Sequence, residues 1–419
     1  MALAEGGGAD EKFDDERFAD LKILIYNLTT TTKTGGVESF TVGIAKALAK
    51  RGHSVDIFGG RGDIKIEEMP GLAVFTFPFL DRSKIPNFGS RFRKFMERLT
   101  FALFTFKRII RGGYDAIYIH KPYDLPAALL ASRLTGIKVV FSTHGTEFFP
   151  FYGVMARRVD RFFACSRYIA GEVEKYCRLK PEVIYNGVDT TFFCKRPPDE
   201  ALKKRLGIGN EIVLVSVCRL IGLKGIQYAL QAIYELKHTN VQSAGVQSAG
   251  VQCTDVQRTD VRYAGSIRYV IVGDGPYLPD LRKLAGELGL SELVIFTGSL
   301  PNDEVAAYYN LAEIALFPSI ADEAFGISIA EAMASGLSVV ATGVGGIPEV
   351  LSNATGLLVP PKDDESLAKA IRYLIATPRL RKELGDKARA RARENFDWNS
   401  IAERFEKSLN LAGNSTIVQ

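Results

Sequence analysis

Short apolar runs, each bounded by polar residues, alternate with stretches of helical periodicity along most of this 419-residue chain, and they do so in two series. Runs without an apolar–polar alternation suit strands buried on both faces, as in parallel sheets covered by helices. In the first series, residues 21–26 (LKILIY), 54–58, 116–119, 138–142, 162–165 and 182–185 read as strands. Residues 39–50, 125–134 and 167–176 read as helices, and residues 31–38 (TTKTGGVE) as a glycine-containing loop after the first strand. In the second series, residues 212–217, 269–272, 294–297, 314–317 and 338–341 read as strands with helices between them. Alternation of this kind predicts α/β architecture with two Rossmann-like domains facing across a cleft. Ligands of such sheets bind outside the carboxyl ends of the strands, so the cleft is the expected site.

Composition and length agree with two cores. The chain is 47% hydrophobic and 24% charged, as globular proteins are. A net charge of +5 is too mild to mark a nucleic-acid binder. Five scattered cysteines (Cys165, Cys177, Cys194, Cys218, Cys253) form no CxxC pair, which argues against a disulfide framework or a zinc site and for a reducing, cytoplasmic setting. Residues 1–20 lack the apolar core of a signal peptide and read as a disordered tail. No apolar run is long enough to span a bilayer. Pro197 and Pro198, among charged residues at 190–200, mark a linker between the two series. Residues 241–265 are five tandem pentapeptides (VQSAG VQSAG VQCTD VQRTD VRYAG) where a short connection would suffice. A surface insertion is expected there, since lengthening a surface loop costs little entropy; a partner-binding role is the other reading.

Chemistry concentrates in the second series. In residues 322–336 (DEAFGISIAEAMASG), Glu323 precedes a predicted helix start at Gly326–Ile327, and Glu331 lies in that helix's early turns. A helix start offers free N–H groups and positive potential to a diphosphate, while carboxylates accept hydrogen bonds from vicinal hydroxyls. The same glutamates could be solvated surface charges, but their apolar surroundings and the buried strand at 338–341 argue otherwise. In residues 217–225 (VCRLIGLKG), Arg219 and Lys224 follow the first strand of the second series. Two cations there could stabilise a diphosphate as it departs, or could form an ordinary ion pair at a helix start.

These segments, with Asn186-Gly187-Val188-Asp189, Gly273-Asp274-Gly275-Pro276 and Gly345-Gly346-Ile347-Pro348-Glu349, resemble in order and spacing the GT-B retaining glycosyltransferases of family 4 over residues 21–412. The resemblance implies that Glu331 holds the ribose hydroxyls. It implies that Glu323 and the backbone at Ala324, Phe325 and Gly326 hold the donor sugar, and that Arg219 and Lys224 bind the diphosphate. Ser319 would approach the donor phosphate, and Gly35 and Gly36 would let the backbone come close to it. His144, in the STHG stretch 142–145, would stand beside the reacting centre; a histidine at a strand end can equally be structural. The catalytic set is then Arg219, Lys224, His144 and Glu323. Attack would come from the face the leaving group departs, with the leaving phosphate helping to take the acceptor's proton. Ala324 and the Leu337-Ser338 pair depart from the family pattern and leave donor preference unread.

The domains expected are residues 21–190 plus a C-terminal helix at 399–412 on the acceptor side, and residues 191–398 on the donor side. No metal or other cofactor is expected, because arginine, lysine and the helix start supply the positive charge. The acidic pairs Asp14-Asp15 and Asp363-Asp364 fall outside cleft positions, and Gly273-Asp274-Gly275 lacks the third glycine of a dinucleotide fingerprint. The expected partners are a nucleotide-sugar donor and a glycan or lipid-linked acceptor of cell-envelope polysaccharide or glycolipid synthesis, and no nucleic acid. A nucleotide-sugar epimerase on the same fold, or a catalytically silent sugar-binding protein, are the alternatives. The segment from Arg91 to Arg111 (RFRKFMERLTFALFTFKRIIR) has Phe92, Phe95, Met96, Leu99, Leu103 and Phe106 at helical spacing beside Arg91, Lys94, Arg98 and Lys107. Such a helix could lie on the inner face of an anionic membrane, or could turn its apolar stripe onto the first sheet.

Overall fold

Strand β1 (Lys22–Tyr26) is buried almost along its length, which places it inside a sheet rather than at its edge. The computed structural model describes residues 20–238, 247–248, 251–252 and 267–410. With β2 (Ser54–Gly60), β3 (Leu72–Phe77), β4 (Ala116–Ile119), β5 (Lys138–Thr143), β6 (Arg161–Ala164) and β7 (Glu182–Val183), β1 forms a parallel sheet in the order β3-β2-β1-β4-β5-β6-β7. Helix α1 (Gly36–Lys50) covers one face through Phe40, Ile44 and Leu48 at four-residue spacing. Helices α2 (Ser90–Arg111), α3 (Leu125–Thr135) and α4 (Tyr152–Ala156) cover the other, and α5 (Arg167–Cys177) packs along β6 and β7.

Helix α6 (Glu200–Arg205) follows the linker, and a second parallel sheet begins at β8 (Ile212–Val217) and α7 (Ile226–His238). A small antiparallel pair, β9 (Gln247–Ser248) and β10 (Val251–Gln252), precedes β11 (Ile267–Val272). The rest of the pentapeptide segment and residues 1–19 lie outside the described residues. The chain continues through α8 (Leu278–Glu287), β12 (Val294–Gly298), α9 (Asn302–Leu311), β13 (Ile314–Phe317), α10 (Ile327–Ala334), β14 (Ser338–Thr342), α11 (Ile347–Val350), β15 (Leu357–Val359), α12 (Asp364–Ala376) and α13 (Pro378–Phe396). The second sheet's order, β12-β11-β8-β13-β14-β15, repeats that of the first six strands of the first sheet. In both, the order reverses beside the first strand of the series, at β1/β4 and β8/β13, which is where a crevice opens.

The last helix, α14 (Trp398–Asn410), crosses back to the first sheet. Ile401, Ala402 and Phe405 join α1 in its core. Buried Glu406 takes two hydrogen bonds from Arg51, both 2.7 Å, and lies 2.9 Å from His53 Nε2. Removing one partner of such a buried group costs roughly 3–5 kcal/mol, so the crossover is firmly anchored. Trp398 wedges the turn: a Cβ on Gly43 or Gly187 would come within 2.1 Å or 2.3 Å of its ring.

Three details differ from expectation. Strand β3 is not among the expected strands; it is the sheet's edge, mostly half-exposed, and held by pairing with β2 more than by burial. The strand expected at 182–185 has two residues, because it too is an edge. Helix α1 starts at Gly36, so Glu38 lies in its first turn and not in the preceding loop.

Candidate active site

The carboxyl ends of the central strands of both sheets open into one cleft of about 1510 Å³. Gly35, Gly36 and His144 line its first wall. Arg219, Lys224, Ser319, Glu323, Ala324, Phe325, Gly326 and Glu331 line the second. Residues spread over nearly 300 positions of sequence are thereby brought to one space.

On the second wall, the chain leaves β8 at Val217, passes Arg219 and makes a short helical turn, Gly222–Lys224, that ends at Gly225 with φ 72°. A Cβ at Gly225 would lie 1.8 Å from the Pro318 carbonyl oxygen, so glycine alone lets the turn after β8 lie on the turn after β13. This contact brings Lys224 Nζ into a salt bridge with Glu323 Oε1. Ser319 Oγ donates to the same oxygen at 2.8 Å, and Thr342 Oγ1 holds the Ser319 carbonyl at 2.6 Å. Arg219 is exposed to the cleft and makes no ion pair among the described residues. Gly326, at φ 102°, starts α10, whose first N–H groups open into the cleft. One turn deeper, Glu331 Oε2 accepts from the Tyr309 hydroxyl at 3.2 Å. Burial pushes the Glu331 carboxyl up to about 7.

Two glycine motifs shape this wall from behind. A Cβ at Gly273 would lie 1.9 Å from the Cys218 carbonyl oxygen, and one at Gly275 2.2 Å from that of Leu220, so the pair cradles the Arg219 loop. A Cβ at Gly345 would lie 2.4 Å from the Glu323 carbonyl oxygen, and the Gly346 N–H donates to that oxygen at 2.7 Å.

On the first wall, Gly36 opens α1, and a Cβ there would lie 3.2 Å from Ile327, the first residue of α10. Two helix starts thus meet across the cleft. Gly35 is in extended backbone that any residue adopts. Thr29 Oγ1 donates to the Glu38 carboxylate, fixing the first turn of α1. His144 follows β5, with Nε2 3.3 Å from Nδ1 of His120 at the end of the adjacent β4 and the Phe40 ring at 4.7 Å. Burial and the Lys121 charge push the His144 imidazole down to about 3, and His120 is likewise held well below the usual range by burial. Both rings are neutral at neutral pH, so His144 can exchange a hydrogen bond with a ligand but not a charge. Asn186 and Asp189 also line the cleft, and their motif serves as a joint: Val188 N–H donates to Phe396 O at 2.7 Å, and Asp189 caps Thr191 and Phe192.

Sequence reasoning passed over His120 and Tyr309. His120 carried a signal, as a second histidine ending the strand next to that of His144; Tyr309 carried none, because it comes from a helix 22 residues before its partner. Among the described residues, no group of three or more His, Cys, Asp or Glu side chains is arranged to hold a metal ion.

Helix α2 lies beside the cleft domain's first sheet with an unexpected attitude. Its buried face is Phe101, Thr105 and Ile109, with Glu97 paired to Arg82 and Arg98 paired to Asp124 at 2.9 Å. The expected stripe points outward: Phe92, Phe95, Leu99 and Leu103 are exposed, Leu103 by 71%, while Met96 and Phe106 are half-buried. Arg98, expected on the basic flank, is inside because Asp124 supplies a buried counter-charge. Among the described residues no helix is long and apolar enough to cross a membrane.

Two parallel α/β domains that meet at such a cleft constitute the GT-B architecture. Solved structures share it: HepE of Anabaena in complex with UDP superposes with a TM-score of 0.73 at 22% identity, covering 93% of this chain and all of the other. Sucrose-phosphate synthase from Thermosynechococcus elongatus gives 0.75 at 20% identity over 94% of this chain and all of the other. The family model described as Glycosyltransferase Family 4 matches residues 34–192, and the one described as Glycosyl transferases group 1 matches residues 198–391. A GDP-mannose-dependent alpha-(1-6)-phosphatidylinositol monomannoside mannosyltransferase of Mycolicibacterium smegmatis is 30% identical over 324 residues, 72% of this chain and 78% of the relative. D-inositol 3-phosphate glycosyltransferase of Thermobifida fusca is 27% identical, over 85% of this chain and 84% of the relative. The chain belongs to the family 4 glycosyltransferases of GT-B fold.

Proposed function

We propose that this protein is a retaining, metal-independent hexosyltransferase that moves a hexose-type sugar from a nucleotide-diphosphate sugar to a glycan or lipid-linked acceptor. One observation carries the reading: Lys224, Ser319 and Glu323 converge at the start of α10, with Arg219 free beside them and Glu331 one turn deeper. Arg219, Lys224 and the N–H groups of α10 would take the charge that grows on the departing diphosphate. Glu323 would switch from Lys224 to the sugar hydroxyls, and Glu331 would accept from the ribose. His144, neutral, would hold a sugar hydroxyl from the opposite wall. No dedicated base is assigned; the departing phosphate would help to take the acceptor's proton. The relative named as GDP-mannose-dependent and the neighbour bound to UDP support a nucleotide-sugar donor.

The acceptor would enter along the first wall, in cell-envelope polysaccharide or glycolipid synthesis. The outward ridge of α2, flanked by Arg91, Lys107 and Arg111, is consistent with a peripheral seat on an anionic membrane surface at the cytoplasmic face. Leu130 and Leu134 of the neighbouring α3 are exposed as well. A thermal-shift screen of nucleoside diphosphates and nucleotide sugars is the first test, because a ligand of the folded state raises its melting temperature. The stereochemistry of the product, read from its anomeric proton coupling, is the second. Absence of any shift, or a product of inverted configuration, would overturn the corresponding part of the reading.

A further inference from the structure

The loop that carries Glu323 is tied to the opposite domain through a closed circuit of hydrogen bonds. The circuit starts at the Glu323 carbonyl, held by the Gly346 N–H at 2.7 Å. Gly346 opens α11, and from that short helix Glu349 reaches the first turn of α5 in the other domain. Its Oε2 accepts from the Arg167 N–H and its Oε1 from the Tyr168 N–H, each at 2.7 Å. Ser166 Oγ takes the Ile169 N–H of the same turn at 3.1 Å. A carboxylate at a helix start is favoured by the free donors and by the helix dipole, so this contact is charge-assisted. The return path is Tyr168, whose hydroxyl donates to Asp322 Oδ2 at 2.8 Å, one residue before Glu323. On the donor side, Arg391 of α13 donates to the carbonyls of Glu349 and Val350 at 2.7 Å and 2.9 Å, so α11 is fixed to its own domain. A Cβ on Gly346 would lie 3.2 Å from Ser166 Oγ, which shows how closely the two backbones approach.

We propose that Glu349 and Tyr168 are positioning residues that make the place of the Glu323 loop depend on how the two domains are seated. With the latch made, Glu323 faces Lys224, Ser319 and the cleft. With it broken, the loop after β13 loses its charged ties to the first domain and keeps there only the contacts of Ala324 with Cys165 and of Phe325 with Tyr185, so the acceptor wall defines its place less tightly. The reading rests on Glu323 serving the donor sugar, as proposed above. It separates positioning from nucleotide binding, because neither residue touches Arg219, Lys224 or Glu331.

The test is a set of variants, Glu349→Gln, Glu349→Ala and Tyr168→Phe, with folding checked by melting temperature. Transfer is expected to fall about tenfold in kcat for Glu349→Ala and a few-fold for Tyr168→Phe, with Glu349→Gln between them because one amide oxygen can still accept. The affinity for free nucleoside diphosphate, measured by calorimetry, should stay within twofold of wild type. In solution scattering, Glu349→Ala should increase the radius of gyration of the ligand-free protein. A kcat within twofold of wild type in all three variants, or an equal loss of nucleotide affinity and kcat, would overturn the proposal. Should the wild type transfer no sugar at all, the proposed function fails, and the scattering arm still decides the latch: an unchanged radius of gyration in Glu349→Ala sinks it.

Discussion

The two halves of this molecule repeat one strand order, yet their surfaces differ sharply. Of the large hydrophobic side chains exposed among the described residues, twelve belong to the first half (from Leu80 to Tyr176) and two, Leu223 and Tyr234, to the second. The second half leaves few large apolar side chains exposed and carries four of its positive-φ glycines at the cleft. Gly225, Gly273, Gly326 and Gly345 all have positive φ there, and all lie within or behind the donor wall. The first half has an ordinary extended Gly35 at its cleft and leaves apolar residues on its outer helices. Strand order therefore fixes where a site can be. The loops and helix faces around it differ between the halves, one gathering positive-φ glycines at the cleft and the other leaving apolar side chains on its outer helices.

Removing a cation from the donor wall should produce the largest break in this comparison. Arg219→Ala or Lys224→Ala is expected to lower kcat by roughly 10²–10³-fold, the loss typical of a preorganised donor to developing negative charge. Lys224→Ala also frees Glu323, so its effect should be the larger. Steady-state kinetics decide this, and activity within a few-fold of wild type in both variants would refute the assignment.

On the first half, the matching break is at α2. Changing Phe92, Phe95, Leu99 and Leu103 together to Ser should reduce co-sedimentation with anionic vesicles by about a hundredfold, since each inserted side chain contributes at most about 2 kcal/mol and insertion is partial. Changing Arg91, Lys107 and Arg111 to Ser should weaken it less and abolish its salt sensitivity. Arg98 is left alone, because its pair with Asp124 is internal. Vesicle binding that survives both sets would separate the apolar ridge from membranes.

The division inside the donor wall is testable by pH. Burial raises the Glu331 carboxyl above the usual carboxylate range, so between about pH 4.5 and 7 the folded state holds a proton that the unfolded state has lost. Stability from this group therefore falls as pH rises through that window, while nucleotide affinity rises as the carboxylate forms. Calorimetry should show affinity for free nucleoside diphosphate increasing several-fold from pH 6 to 8 in wild type and flat in Glu331→Gln. Glu323→Ala should keep that affinity and lose transfer. Equal losses of affinity in the Glu331 and Glu323 variants would erase the distinction.

The smallest expected effect is that of chelation. With cations and a helix start in place of a metal, EDTA should change activity by less than twofold. A complete loss that magnesium or manganese restores would show that the donor wall lacks sufficient charge of its own.

The sequence by itself determined the architecture and the linear part of the site. Buried strands must be apolar throughout and their helices periodic, so two parallel sheets are written in local pattern. The glutamates, the lysine and the arginine stand at strand ends and a helix start that the same pattern predicts. The pairing of those residues is not local. Lys224 meets Glu323 across 99 positions, His144 meets His120 across 24, and Glu349 meets the start of α5 across more than 180. Such contacts exist only once sheets twist and domains meet, so tertiary structure alone decided them. The orientation of α2 makes the same point. Its sequence offers one face of Phe92, Phe95, Leu99 and Leu103 and another of Phe101, Thr105 and Ile109, and hydrophobicity favours the first for burial. The fold buries the second: Phe101 packs on Tyr26 and Phe77, and Glu97 and Arg98 beside it find Arg82 and Asp124 as partners, so neither charge is buried alone.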